Sequence, residues 1–199
     1  MLFFRSKPAG PVEFLIAGLG NPGKKYENTR HNAGFMALTA LANNLGASVD
    51  RVKYQALTGE AAIEDRRVLL MMPQTFMNLS GQSVTAAMRF YKLPPERVLV
   101  MFDDISLPVG ALRVRRKGSD GGQKGMRSII DLSGSEDFPR IKLGIGGKPR
   151  PEYDLADWVL SRFTAEEQKV MQTAAKSAAE AARLIVGGDI DAAMSRFSR

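Results

Sequence analysis

The chain of 199 residues is 44% hydrophobic and 25% charged, ordinary proportions for one globular domain, or two at most. It has no cysteine, which excludes disulfides and thiolate metal sites, and no apolar run approaches the length of a membrane span. Lys and Arg number 28 against 21 Asp and Glu, a net charge of +7 that suits a polyanionic partner such as nucleic acid and equally a solvated basic surface.

The opening "MLFFRSKPAGP" is too short for a signal peptide and has no clear cleavage pattern. It reads as a loosely ordered lead-in over 1–11, ahead of a single domain over 12–199 that no repeat or linker divides. "EFLIAGL" (13–19) reads as a buried strand. Over 30–45 the spacing predicts a helix with Phe35, Leu38, Leu41 and Leu45 on one face and Gly46 as its stop. "GEAAIE" and "RVLLMMP" read as strands, and 78–92 as a helix with Val84, Met88 and Tyr91 on one side. "RVLVMFDD" (97–104) is a buried strand ending in acid, "ALRVRR" a strand with basic alternate positions, "GMRSIIDL" a helix and "RIKLGIG" a strand. In the tail, Thr164 and Glu167 form a capping-box pattern. Val170, Ala174, Ala178, Ala181 and Ile185 make an apolar stripe, and a last short helix carries Ile190, Ala193, Met194 and Phe197. This alternation implies a three-layer α/β/α fold on a twisted, mixed and largely parallel sheet. Ligands of such sheets gather beyond the carboxyl ends of the strands, here the loops after residues 19, 72 and 102.

"GLGNPG" (18–23) matches G-x-G-x-x-G after a strand, the pattern of a dinucleotide site. Pro22 lies inside the loop, "KKYENT" opens no apolar helix, and no acid follows about 20 residues on, after a second strand. The better reading is a tight turn that presents Asn21. No cofactor is expected.

His31 is the only histidine. With Thr29 as a plausible N-cap, it falls in the first turn of the predicted helix, where the dipole disfavours imidazolium. A neutral imidazole is what a general base requires; the alternative is an ordinary surface histidine at a helix start. "PQTFMNLSG" (73–81) places Asn78 at a helix start, either as a cap or as a polar group for substrate, with Phe76 and Met77 as an apolar wall. "FDDISLPVG" (102–110) ends a strand in Asp103 and Asp104. A carboxylate there either orients an imidazole or caps a turn. Two adjacent acids and one histidine give thin support for a metal, and none is expected. In "RVRRKGSDGGQKGMR" (113–127), Arg113, Arg115, Arg116, Lys117, Lys124 and Arg127 surround Gly118, Gly121, Gly122 and Gly125. Glycines admit close backbone approach and the cations neutralise phosphate, unless the segment is a mobile basic turn. Lys142 on the following strand adds to the patch.

Together, "GLGNPGKKYENTRHNAG", "TFMNLSG", "DDISLPVG" and "GSDGGQKGMRSII" resemble the bacterial peptidyl-tRNA hydrolase family, with "GIGGKP" (144–149) fitting as well. The resemblance runs from about residue 13 to the tail. It implies a monomeric, cytoplasmic α/β enzyme that cleaves the ester between a nascent peptide and tRNA, with no membrane association and no obligate protein partner. It implies a catalytic base at His31, its supporting acid at Asp103, and recognition of a blocked α-amine by Asn21. Tyr26, Phe76 and Asn78 fall at tRNA- or substrate-binding positions, and Arg113, Arg115 and Lys142 at positions that clamp the tRNA 5′-phosphate. Met77, Gly122 and Lys124 complete the expected binding surface. Two departures stand out. The glycine-rich loop has Gln123 and Lys124 where the family usually has His then Asn, and Ser106 replaces a position that is often acidic. Lys124 keeps open a rival of another class, a non-catalytic RNA-binding protein on the same scaffold.

Overall fold

The computed structural model describes residues 10–198; most of the expected lead-in (1–11) lies outside them. The strands are β1 (Phe14–Gly18), β2 (Arg51–Lys53), β3 (Ala56–Ile63), β4 (Arg66–Pro73), β5 (Val98–Asp104), β6 (Leu112–Arg115) and β7 (Arg140–Gly144). The helices are α1 (Ala33–Leu45), α2 (Ser80–Tyr91), α3 (Lys124–Ser133), α4 (Leu155–Leu160), α5 (Ala165–Gly187) and α6 (Ile190–Phe197). One sheet runs in the order β2-β3-β4-β1-β5-β7-β6. Its centre, β4-β1-β5-β7, is parallel, and the edges β2, β3 and β6 pair antiparallel.

The central strands are apolar runs because both of their faces are covered. Phe14, Ile16, Leu70, Leu99 and Met101 point to one side, into a core shared with α1, α5 and α6. Leu15, Ala17, Met71, Val98, Val100 and Phe102 point to the other, into a core shared with α2 and α3. The parity matters at the end of β5, where Asp103 follows Leu99 and Met101 toward the α1 side. Gly34 lets the start of α1 rest directly on the strand ends, since a Cβ there would collide with the Met101 carbonyl oxygen.

The tail shows one difference from expectation. Ala174, Ala178, Ala181 and Ile185 of α5 are buried, but Val170 is 47% exposed and packs over Gly110 at the sheet's rim. The capping box at Thr164 and Glu167 forms as its sequence predicts.

Candidate active site

The carboxyl ends of β1, β4 and β5 and the start of α3 enclose a cleft of about 710 Å³. Asn21, His31, Phe76, Met77, Asn78, Asp103, Gly122, Lys124 and Lys142 line it, and α4 supplies the facing apolar wall through Leu155, Ala156, Val159 and Leu160.

His31 does not lie in the first turn of an α-helix. It sits in a separate 3-10 turn, Arg30–Asn32, ahead of α1. Thr29 does not cap it; its hydroxyl donates to the Tyr26 carbonyl oxygen at 2.8 Å. External bonds impose the turn instead. Arg30 N–H donates to Ser161 O at 3.0 Å. Asn32 brackets the Asn21 backbone, accepting its N–H at 2.9 Å and donating to its carbonyl at 3.0 Å. The Arg30 side chain is buried, donating to Glu167 at 2.7 Å, to Ile145 O at 3.0 Å and to Ser161 Oγ at 3.1 Å. Its guanidinium lies 3.9 Å from the Trp158 ring centroid, which ties α4 to the turn that holds His31.

His31 Nδ1 lies 2.8 Å from Asp103 Oδ2, and Asp103 is only 3% exposed. An ionised carboxylate can only accept, so Nδ1 carries the proton and the Nε2 lone pair is left to the cleft. The other oxygen, Asp103 Oδ1, accepts from Gln123 Nε2 at 3.0 Å. Asn21 is buried with Oδ1 committed to the Met77 N–H at 2.8 Å, so its Nδ2 is the part available as a donor. Asn78 is exposed within the 3-10 turn Met77–Leu79 and caps nothing; the flanking cap positions belong to Phe76 and Leu79. Phe76 is 54% exposed, with Tyr26 edge-on at 6.4 Å between ring centroids, outside the lining itself.

The basic residues divide. Lys142 donates to Asp104 Oδ2 at 3.0 Å, and Asp104 also accepts from Ser106 N–H at 2.8 Å and Ser106 O–H at 2.6 Å. Burial pushes the Asp104 pKa up, but the Ser106 bonds and the Lys142 charge outweigh it and hold the group below its usual value. Arg113 and Arg115 stand opposite Lys142 and Arg140 in the β6–β7 ladder, outside the cleft lining. Arg116 pairs with Asp191 at 2.5 Å, Lys117 with Asp137 at 3.4 Å and Arg127 with Asp120 at 3.1 Å, so much of this charge is met within the protein.

Sequence reasoning missed Arg30, Asn32 and Arg140, and marked Gln123 only as a departure from the family pattern. Arg140 is 1% exposed and donates to the carbonyls of Ser119, Glu136 and Phe138, which fixes the glycine-rich loop against β7. The polar flanks of His31 in "TRHN" were the available signal for Arg30 and Asn32. Nothing local marked Arg140.

The family model described as peptidyl-tRNA hydrolase matches residues 15–199. A peptidyl-tRNA hydrolase of Caldanaerobacter subterraneus subsp. tengcongensis is 54% identical over 185 residues, which cover 93% of this chain and 99% of the relative. One from Agathobacter rectalis is 50% identical over 186 residues, covering 93% and 100%. The crystal structure of peptidyl-tRNA hydrolase from Acinetobacter baumannii superposes with a TM-score of 0.88 at 34% identity, over 96% of this chain and 97% of that one.

Proposed function

The chain belongs to the peptidyl-tRNA hydrolase family and hydrolyses the ester that joins a peptide to tRNA, and we propose that His31 is the general base of that reaction. The 2.8 Å contact between His31 Nδ1 and Asp103 Oδ2, inside the cleft, carries this assignment. His31 Nε2 takes a proton from water as the water oxygen attacks the ester carbonyl carbon. Asp103 holds the tautomer and stabilises the imidazolium that forms. When the tetrahedral intermediate collapses, the tRNA 3′ oxygen leaves with the proton that His31 returns.

Asn78, exposed in the cleft, offers its amide to the water or to the developing oxyanion, where a donor favours charge found only in the transition state. Asn21 Nδ2 donates to a carbonyl of the peptide, which selects acylated substrates over free aminoacyl-tRNA. Phe76, with Tyr26 behind it, and Met77 form the apolar wall for the terminal nucleotide or the peptide side chain. Lys124, Lys142, Arg113 and Arg115 attract the acceptor stem and its 5′-phosphate, with Gly122 admitting close approach. Such contacts are sequence-independent and salt-sensitive. The enzyme works as one domain over 12–199, as a monomer, in the cytoplasm where ribosomes release its substrate. Among the described residues no helix is long and apolar enough to cross a membrane.

The test is release of N-acetyl-amino acid from N-acetyl-aminoacyl-tRNA by the purified protein. His31→Ala should lower turnover by roughly 100-fold or more, the usual share of a general base. Turnover near wild type in that variant would remove His31 from the role. Binding without release by the unaltered protein would favour a non-catalytic RNA-binding protein.

A further inference from the structure

Gln123 occupies the N-cap of α3, and its Oε1 accepts the Met126 N–H at 2.7 Å. That bond distinguishes the two ends of the amide. With the oxygen turned to the helix, Nε2 faces Asp103 Oδ1 at 3.0 Å. Both partners are nearly sealed from water, Gln123 at 8% exposure and Asp103 at 3%. The carboxylate is thus gripped from both helical layers: Oδ2 by His31 from the α1 side and Oδ1 by Gln123 from the α3 side. Gln123 Nε2 also lies 3.1 Å from Met77 Sδ. Met77 N–H holds Asn21 Oδ1, and Asn32 holds the Asn21 backbone. Asn32 adjoins His31, so the circuit closes on the residue where it began.

We infer that Gln123 is a positioning residue for the general base, orienting the Asp103 carboxylate through the amide that also caps α3. The inference rests on the assignment of His31 as base. Glutamine does not titrate, so it donates to Asp103 at every pH at which the enzyme folds. A carboxylate free to rotate would hold the imidazole in a spread of orientations, and loss of alignment is costly in catalysis.

The decisive variant is Gln123→Glu, because capping and positioning predict opposite pH behaviour. As a cap, an ionised glutamate is at least as good an acceptor at a helix N-terminus as an amide. As a positioning group it fails when ionised, since two carboxylates then face each other with no donor between them. Like charges at such a site retain one shared proton to higher pH than either acid would alone. Protonated, the introduced carboxyl again donates to Asp103 while its other oxygen accepts from Met126.

Hydrolysis of N-acetyl-aminoacyl-tRNA should be measured from pH 6 to 8 for wild type, Gln123→Glu and Gln123→Met. The expected result for Gln123→Glu is a kcat at pH 8 about tenfold below wild type with KM within about twofold, the loss of one hydrogen bond to a charged group. Relative to wild type, that kcat should recover several-fold by pH 6. Gln123→Met, of similar size but with no donor, should lose about tenfold at every pH. A ratio of Gln123→Glu to wild type that is flat across the range overturns the inference even if Gln123→Met fails to fold. A His31→Ala enzyme with turnover near wild type would instead overturn the assignment of His31 on which the inference rests.

Discussion

Asp103→Asn replaces one oxygen of the buried carboxylate with an amide nitrogen and should disable the base proposed at His31 through its tautomer. Gln123 Nε2 is fixed as a donor by the Met126 bond, so the introduced amide must turn its oxygen toward Gln123. Its NH₂ then faces His31 Nδ1, where the carboxylate oxygen stood at 2.8 Å. To avoid donor meeting donor, Nδ1 gives up its proton and Nε2 takes it, which removes the lone pair the water needs. Reversing the amide restores the tautomer only by opposing donors at Gln123, at a cost of about 1–3 kcal/mol. The variant also loses the charge that stabilises imidazolium. At the 2.8 Å separation, a unit charge pair is worth about 6 kcal/mol at an effective dielectric of about 20, an upper bound that corresponds to about four orders of magnitude in rate. A loss of roughly 10³-fold in kcat, with KM little changed, is therefore expected. The single histidine makes the tautomer directly readable by nitrogen NMR: Nδ1–H in wild type, Nε2–H in the variant. An Asp103→Asn enzyme within about threefold of wild type, or one that keeps the Nδ1–H tautomer, would refute the reasoning.

Other perturbations test the surrounding parts. Asn21→Asp keeps an acceptor for Met77 N–H but turns the Nδ2 donor into a second acceptor. N-acetyl-aminoacyl-tRNA should lose about 10–100-fold in kcat/KM and the preference over free aminoacyl-tRNA should narrow; an unchanged preference would move selection elsewhere. Arg113→Ala and Arg115→Ala should each reduce the slope of log KM against log salt by about one, and unaltered slopes would place the tRNA on another face. Burial raises the Glu167 pKa, but bonds from Arg30 and the Thr164 N–H overcome this and hold it below its ordinary 4.5. The stability this supplies is complete above the unfolded value and is lost as pH falls through the folded one, so thermal melts should show the gap between wild type and Glu167→Gln closing below about pH 5. A gap that stays constant down to pH 3 would show that the ion pair with Arg30 does not supply it.

The sheet was legible because its central strands must be apolar on both faces, and "FLIAG", "VLLMM" and "VLVMF" could hardly be anything else. Other elements are fixed by contacts that no local pattern records. β2 is three exposed residues, Arg51–Lys53, paired through a two-residue turn at Tyr54 and Gln55 with φ of 54° and 53°. That conformation usually advertises itself with Asn-Gly, and here it does not. α4 is six residues that follow the proline-containing stretch 149–151, held by Trp158 Nε1 donating to Gly146 O at 2.9 Å and by the stacked Arg30. At the site, Asp103 stood out at a strand end, and His31 and Asn78 as polar residues at expected helix starts beyond strands. The contacts that orient His31 did not, because they run from Asn32 to Asn21, from Gln123 to Asp103 and from Arg30 to Glu167, across 11 to 137 residues of sequence.

That distance explains the economy of the site. His31, Asp103, Gln123, Met77, Asn21 and Asn32 come from loops, element starts and the end of β5, widely spaced in sequence, yet each is held by the next. A buried polar circuit of this kind is stable only when every member is satisfied, since one missing partner leaves a desolvated group costing about 1–3 kcal/mol. The same requirement makes the circuit an alignment device. The imidazole cannot swing without breaking its bond to Asp103, and Asp103 cannot turn without stranding Gln123. Asn78 and Lys124, by contrast, are exposed in the cleft and outside the circuit. The geometry therefore separates the rigidly held His31, the proposed base, from Asn78 and Lys124, the proposed substrate contacts, and it places the lysine at 124 apart from the groups proposed to move the proton.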